Sequence, residues 1–225
     1  MKVAVIIPAL DEAGCIADLV AEVAAQPVDH IIVVDNGSTD DTAPLARQAG
    51  ARIVHEPSRG YGYACAAGAA AAGDADVLVF IDGDGSFLPQ ETSGLLAPLR
   101  EGCADLVLGS RVLGGIAPGA MPPHQMFGNW LVAHLVRALY GLRITDLGPY
   151  RAIRPDLLRA LDMREMTYGW PVEMIVKAAR RRARILEVPV SYRPRRAGQS
   201  KVGGTLRGTI LANYHILATT LRYAR

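Results

Sequence analysis

Short apolar runs alternate with helical patterns from the first residues onward, and this rhythm limits the possible folds more than any other feature of the chain. Residues 2–8 (KVAVIIP) read as a buried strand, because β-branched residues dominate a short run that ends at a proline. Residues 11–26 follow as a helix with Ile16, Leu19, Val20 and Val23 on one face. A second strand is expected at 30–35 (HIIVVD), a helix with several capping side chains at 38–49, and a third strand at 52–55. The Ala/Gly stretch 60–73 should form a helix packed very close to the sheet, since small side chains let backbones approach. Strands at 76–82 (DVLVFID) and 105–108 continue the series. This order predicts an α/β fold: a mostly parallel, doubly wound sheet with helices on both faces.

After Gly109 the rhythm changes. A Gly/Pro-rich loop (114–123) leads into an amphipathic helix at 124–140 and an extended segment at 143–153. Two helical stretches, a strand at 185–192, a basic loop and a last helix at 206–223 complete the chain. No internal repeat and no linker interrupts the 225 residues, so a single domain is expected.

Half of the residues are apolar, which is enough for a well-buried core. The formal net charge of +2 is too small to suggest a nucleic-acid partner. Cys15, Cys65 and Cys103 are odd in number and lack metal-ligand spacing, which points to a reducing cytoplasm. The first strand begins too near Met1 for a signal peptide, and no apolar run approaches the roughly 20 residues of a membrane span.

In open α/β sheets, ligands bind outside the carboxyl ends of the strands. Acidic residues recur at those ends: Asp11 and Glu12 after the first, Asp35 at the second, Asp82 and Asp84 after the fourth. Like charges gathered there would repel without a cation or a donor-rich ligand between them. Residues 81–87 (IDGDGSF) carry the sharpest signal, because Asp-x-Asp at a strand end aims two hard oxygen ligands into one space. That arrangement suits Mg²⁺ or Mn²⁺ bridging a diphosphate, with Lewis-acid help to a departing nucleotide diphosphate. An EF-hand would need a bidentate Glu at a distance this run does not provide. Residues 59–68 (RGYGYACAAG) follow the third strand, and the first strand-helix turn (PALDEAG) carries neither G-x-G-x-x-G nor a P-loop. Hydride transfer and NTP hydrolysis both lose support.

Four motifs, PALDE (8–12), VVDNGSTDDT (33–42), RGYGYA (59–64) and IDGDG (81–85), together resemble inverting family 2 glycosyltransferases with the GT-A fold. GSR (109–111), TDLGPYRAIR (145–154), YGWPVEM (168–174), EVPVSYRPR (187–195) and AGQSK (197–201) resemble the branch containing dolichyl- or polyprenyl-phosphate mannose and glucose synthases. The resemblance implies a nucleotide-sugar-binding half, 1–112, and an acceptor-side half, 113–225. Pro8, Ala9 and Glu12 would line the nucleotide pocket, Asp35 would accept a hydrogen bond from the base, and Gly60 and Ala64 would let the nucleoside approach backbone. Asp82 and Asp84 would hold the metal and diphosphate, with Gly83 in the nucleotide-sugar site. Ser110 and Arg111 would meet an anionic acceptor, with Trp170 and the acidic Glu173 in the acceptor motif. Arg193, Arg195, Ser200 and Lys201 would close over the phosphates. Ser86 stands where polyprenyl-phosphate mannose synthases carry Gln, and could ligate directly or through water. No membrane-spanning run follows Lys201, as in the soluble members of that branch.

The activity implied is transfer of a hexosyl group, with inversion, from a GDP-mannose- or UDP-glucose-type donor, to a polyprenyl phosphate. A hydroxyl acceptor would instead require a base, and Glu173 is the candidate. A sugar-1-phosphate nucleotidylyltransferase would want a basic, Gly-rich first turn, which PALDEAG is not. A non-catalytic nucleotide-sugar-binding protein is opposed by the intact Asp82, Asp84 and Lys201. The run Arg180, Arg181, Arg182 and Arg184 reads as a solvated helix end, and the five histidines and Trp130 as structural or surface residues. In the last helix Leu206, Ile210, Tyr214, Leu217 and Leu221 share a face flanked by Arg207, Arg222 and Arg225. That face packs on the fold or a second subunit, or lies on a membrane at the cytoplasmic side; Trp130, Leu131, Leu135 and Leu139 form a second such face.

Overall fold

The computed structural model describes residues 1–198 and 206–224, the last segment with side chains from Tyr214 onward. Seven strands, β1 (Val3–Ala9), β2 (His30–Asp35), β3 (Arg52–His55), β4 (Val77–Phe80), β5 (Leu106–Ser110), β6 (Arg151–Ile153) and β7 (Ile185–Pro189), form one sheet. Their order is β3-β2-β1-β4-β6-β5-β7. Every pairing is parallel except the two made by β6, which runs antiparallel between β4 and β5. The mostly parallel sheet expected from the alternation is therefore present.

The apolar run of β1 is buried on both faces, as a central parallel strand requires. Ala4 and Ile6 enter one core with Ile32, Val34 and Phe80, while Val3, Val5 and Ile7 enter the other with Val33 and Val79. A fully buried Val or Ile contributes roughly 1.5–3 kcal/mol. A one-residue slip of β1 would exchange the two sets and cost about as much as a domain's whole net stability.

Helices α1 (Ile16–Ala24), α2 (Thr42–Gln48) and α4 (Thr92–Arg100) pack into the second core. Helices α3 (Tyr61–Ala71), α6 (Pro123–Tyr140), α7 (Pro155–Leu161) and α8 (Trp170–Arg180) pack into the first, with α9 (Leu206–Arg222) laid over it; α5 (Arg111–Gly114) is a single turn after β5. The close approach expected of the Ala/Gly helix is real: a Cβ on Gly68 would lie 2.4 Å from Cγ2 of Ile6.

Four differences from the sequence reading bear on the site. Helix α1 begins at Ile16 rather than at residue 11. Asp11 takes the left-handed conformation (φ 52°), accepts the Thr39 amide at 2.7 Å, and lets the Glu12 amide donate to Thr42 Oγ1 at 2.8 Å. The turn after β1 thereby stays open instead of joining the helix. Residues 143–153 condense to the three-residue β6, and the strand after residue 185 ends at Pro189, with Tyr192 making single bridges to Phe87 and Ile116. Helix α4 lies where no bounds were assigned, its pattern obscured by Gly94 and Pro98. Among the described residues no helix is long and apolar enough to cross a membrane.

Candidate active site

A cleft of about 660 Å³ opens at the carboxyl ends of β1 and β4. Pro8, Ala9 and Glu12 form its floor beside Asp82, Gly83 and Asp84; Gly60 and Ala64 border it at the start of α3; Arg111 and Arg195 reach it from the second half. These ten residues, up to 187 positions apart in sequence, are the part of the expected site that the fold brings together. Two glycines explain the fit. A Cβ on Gly83 would sit 2.9 Å from the Pro8 carbonyl, and one on Gly60 would sit 2.4 Å from the Met166 carbonyl. A cleft of this size suits a small ligand, and the amino end of α3 opens onto it with a potential that favours anions.

The Asp82–Asp84 pair has the character of a cation site. Burial, and then the Asp84 charge, push the Asp82 carboxyl up to about 7, and its Oδ1 is buried without a hydrogen-bond partner among the described residues. An uncompensated buried carboxylate is costly unless something pairs with it. Among the described residues, no group of three or more His, Cys, Asp or Glu side chains could hold a metal. Two carboxylates fit Mg²⁺ or Mn²⁺ that takes its other ligands from water and a diphosphate. Ser86 is fully buried, and its amide and hydroxyl both donate to Oδ1 of Asp84 (3.0 and 2.6 Å). It orients that carboxylate.

Residues 193–196 are stitched over the same loop. The Arg193 amide donates to the Ser86 carbonyl (2.9 Å) and the Arg196 amide to the Asp84 carbonyl (3.0 Å). Nη2 of Arg195 pairs with both Glu12 oxygens at 2.8 and 2.7 Å. The basic segment thus lies at the cleft, although the Arg193 side chain is exposed and not on its wall. Ser200 and Lys201 lie outside the described residues.

Arg111 is held at the wall by Asp146, with Nε at 2.8 Å and Nη2 at 2.7 Å from its two oxygens, and by the Tyr192 ring 5.0 Å away. Burial works against its charge, but Asp146 outweighs it and raises the Arg111 pKa.

Besides Arg193, four expected residues do not reach the cleft. Asp35 bonds the Ser38 amide (2.9 Å) and His55 Nδ1 (3.1 Å), and its neighbour Asn36 lines the wall instead. Asn36 fixes the adjoining loop, donating to the carbonyls of Glu56 and Ser58 and accepting the Gly60 amide. Ser110 is buried, caps α5 and bonds Thr145. Trp170 is a core residue. Glu173 is 0% exposed and accepts from the Arg164 and Glu165 amides, Tyr223 and Lys177, so no acceptor hydroxyl can use it as a base in this structure. Burial alone would push its carboxyl up, but Lys177, Tyr223 and the amides hold it below the usual range.

Sequence reasoning missed Asn36, Arg59, Tyr61, Gln125, Asn129 and Tyr192 on the wall. Arg59 and Tyr61 lie within a quoted motif and could have been found there; Gln125 and Asn129 carry no local signal.

A second, mostly apolar groove of about 510 Å³ adjoins the cleft, sharing Met121 and Asn129, and runs between α6 and the segments around 112–121 and 143–146. Val112, Met126 and Trp130 (52% exposed) stand exposed on its wall, and Leu113 and Phe127 (61%) are exposed next to them in sequence. The described part of α9 differs: Leu217 packs on the core, and Tyr214 and Leu221 are exposed.

The model of the family described as Glycosyl transferase family 2 matches residues 4–182. An uncharacterized glycosyltransferase of Mycobacterium tuberculosis is 39% identical over 211 residues, 93% of this chain and 94% of that protein. The undecaprenyl-phosphate mannosyltransferase of Micrococcus luteus is 34% identical over 226 residues, covering 95% and 92%. Among solved structures, glucosyl-3-phosphoglycerate synthase from Mycobacterium tuberculosis, in complex with Mn²⁺, UDP and phosphoglyceric acid, superposes with a TM-score of 0.78 at 25% identity, over 99% of this chain and 78% of that one.

Proposed function

The chain belongs to glycosyl transferase family 2, and we propose that it transfers a hexosyl group, with inversion, from a nucleotide-diphosphate sugar to a polyprenyl phosphate. One observation carries the choice of acceptor. The carboxylates lining the cleft are Glu12, Asp82 and Asp84, all on the donor loops and with Glu12 paired to Arg195, while the cleft wall across from them presents Arg111 and no carboxylate or imidazole among the described residues; Asp146, in the adjoining groove, is committed to Arg111. An alcohol needs a base to become a nucleophile, whereas a phosphate monoester is anionic at neutral pH without one. The undecaprenyl-phosphate mannosyltransferase relative bears such an acceptor in its name, and the Mn²⁺ and UDP of the neighbouring structure support a metal-dependent donor site.

In this reading Asp82 and Asp84 hold Mg²⁺ or Mn²⁺, which supplies Lewis-acid stabilisation to the departing diphosphate. Asn36 and Gly60 shape the nucleoside end of the cleft. Arg195, poised on Glu12, adds positive charge beside the diphosphate. Arg111, its plane fixed by Asp146, orients the acceptor phosphate. A phosphate oxygen bonds to the anomeric carbon as the bond to the diphosphate breaks on the opposite face, which inverts the centre. The apolar groove takes the first isoprene units, and the exposed Phe127 and Trp130 meet the membrane interface.

The test is a donor screen. Radiolabelled GDP-mannose and UDP-glucose are each offered with Mn²⁺ and either undecaprenyl phosphate or 3-phosphoglycerate. Label is expected in the lipid phase with one donor; transfer to phosphoglycerate alone would replace the lipid acceptor with a soluble one.

A further inference from the structure

Arg151, on β6, is the largest side chain buried completely, and the reading above gives it no task. Its guanidinium has no carboxylate within ion-pair distance among the described residues. Main-chain carbonyls hold it instead: Nη1 donates to Pro171 O at 2.8 Å, and Nη2 to Leu147 O at 3.1 Å and to Gly148 O. Nε is buried with no partner. A lone buried cation is expensive, and an apolar residue of similar volume usually serves packing as well or better. Asp146 and Asp82 both act on its charge, and β6 pairs with β4 through Arg151 and Phe80, two residues before Asp82, on which Arg111 and then Arg151 act in return. Among the described residues the molecule therefore carries a buried cation without an ion-pair partner and a buried acid oxygen without a hydrogen-bond partner, close together but not touching.

We propose that Arg151 is a positioning residue that offsets the charge of the Asp82–Asp84 pair, so that the divalent cation enters with the nucleotide diphosphate rather than alone. The inference rests on the metal-dependent donor site of the proposed function and is independent of the acceptor. Two carboxylates beside Arg151, with Arg111 also acting on Asp82 from the wall, present at most about one net negative charge to a bare dication, too little to bind it well with two protein ligands. A diphosphate brings further negative charge and more oxygen ligands, and the balance turns. The same guanidinium bonds Leu147 and Pro171, both on the acceptor side of the cleft, and so ties that wall to the metal-binding strand.

Loss of a merely structural residue would weaken every ligand; loss of an opposing charge should strengthen binding of the bare cation. The experiment measures Mn²⁺ uptake at pH 8, from the free-Mn²⁺ paramagnetic resonance signal, with and without UDP or GDP. It compares the parent with Arg151→Lys, which keeps the charge, and with Arg151→Met and Arg151→Gln, which remove it; thermal melting identifies the folded variants. Expected is weak uptake by the parent and Arg151→Lys that nucleotide strengthens at least about tenfold. The folded neutral variants should bind bare Mn²⁺ at least about fivefold tighter than the parent, with a smaller nucleotide effect. Bare-Mn²⁺ affinity unchanged or lowered in a folded neutral variant, or failure of both neutral variants to fold while Arg151→Lys folds and binds bare Mn²⁺ tightly, overturns the inference and leaves the proposed function standing. A parent that takes up no Mn²⁺ with either nucleotide overturns both.

Discussion

Oδ1 of Asp84 is committed to Ser86 within its own turn, so the carboxylate meets the cleft in one fixed orientation. Replacing Asp84 with Ala should remove a direct metal ligand and lower turnover about 100- to 1,000-fold with the melting temperature unchanged. Ser86→Ala should lower it only about tenfold, the worth of one charge-assisted hydrogen bond, and raise the Mn²⁺ needed for half-maximal rate. Glu173 provides the contrasting case. Its folded pKa is depressed, so the stability it contributes is present above the ordinary carboxylate range of about 4.3 and is lost as pH falls through the folded value. Glu173→Gln should cost about 3 kcal/mol, because Lys177 loses its buried partner, and should flatten the acid side of the stability profile. Its turnover at 25 °C should stay within about twofold of the parent; a loss of orders of magnitude would restore Glu173 as a base.

The elements best read from sequence were those whose local pattern suffices. The strands of the first half are apolar runs with clear ends, and the Ala/Gly helix announced its own close packing. The rest depended on pairing. β6 is three residues long and exists because β4 and β5 flank it, which no window of sequence contains. Asp35 and Asn36 are adjacent where β2 ends, and side chains there alternate between faces; which one meets the cleft follows from the pleat, not from residue type. The same holds for Glu173, whose position on α8 turns it towards the amides of 164 and 165. Among the described residues, the exposed aromatic face is that of α6, and the proposed function sets it at the membrane interface. The double change Phe127→Ser and Trp130→Ser should reduce flotation with anionic liposomes at least about fivefold at low salt, while melting shifts little because both side chains are exposed. Undiminished flotation would move the contact elsewhere.

At the scale of the whole molecule, the proposed function divides labour along the width of the sheet. β1, β2 and β4 end in the donor loops, and the segments after β5 and β7 bring Arg111 and Arg195 to the cleft from the other side. The cleft residues of the first half were legible because its motifs follow strand ends in order, and a parallel sheet gathers strand ends at one edge. The acceptor half was less so, since its wall is assembled from α6, the turn before β6 and the start of α8, each read as a separate stretch. The central claim is that this wall needs an acceptor already carrying its negative charge. Single-turnover transfer with undecaprenyl phosphate and with undecaprenol, the same chain ending in a hydroxyl, isolates that point at pH 7. The account expects transfer to the phosphate at least about 100-fold faster than to the alcohol. Comparable rates with the two would contradict it.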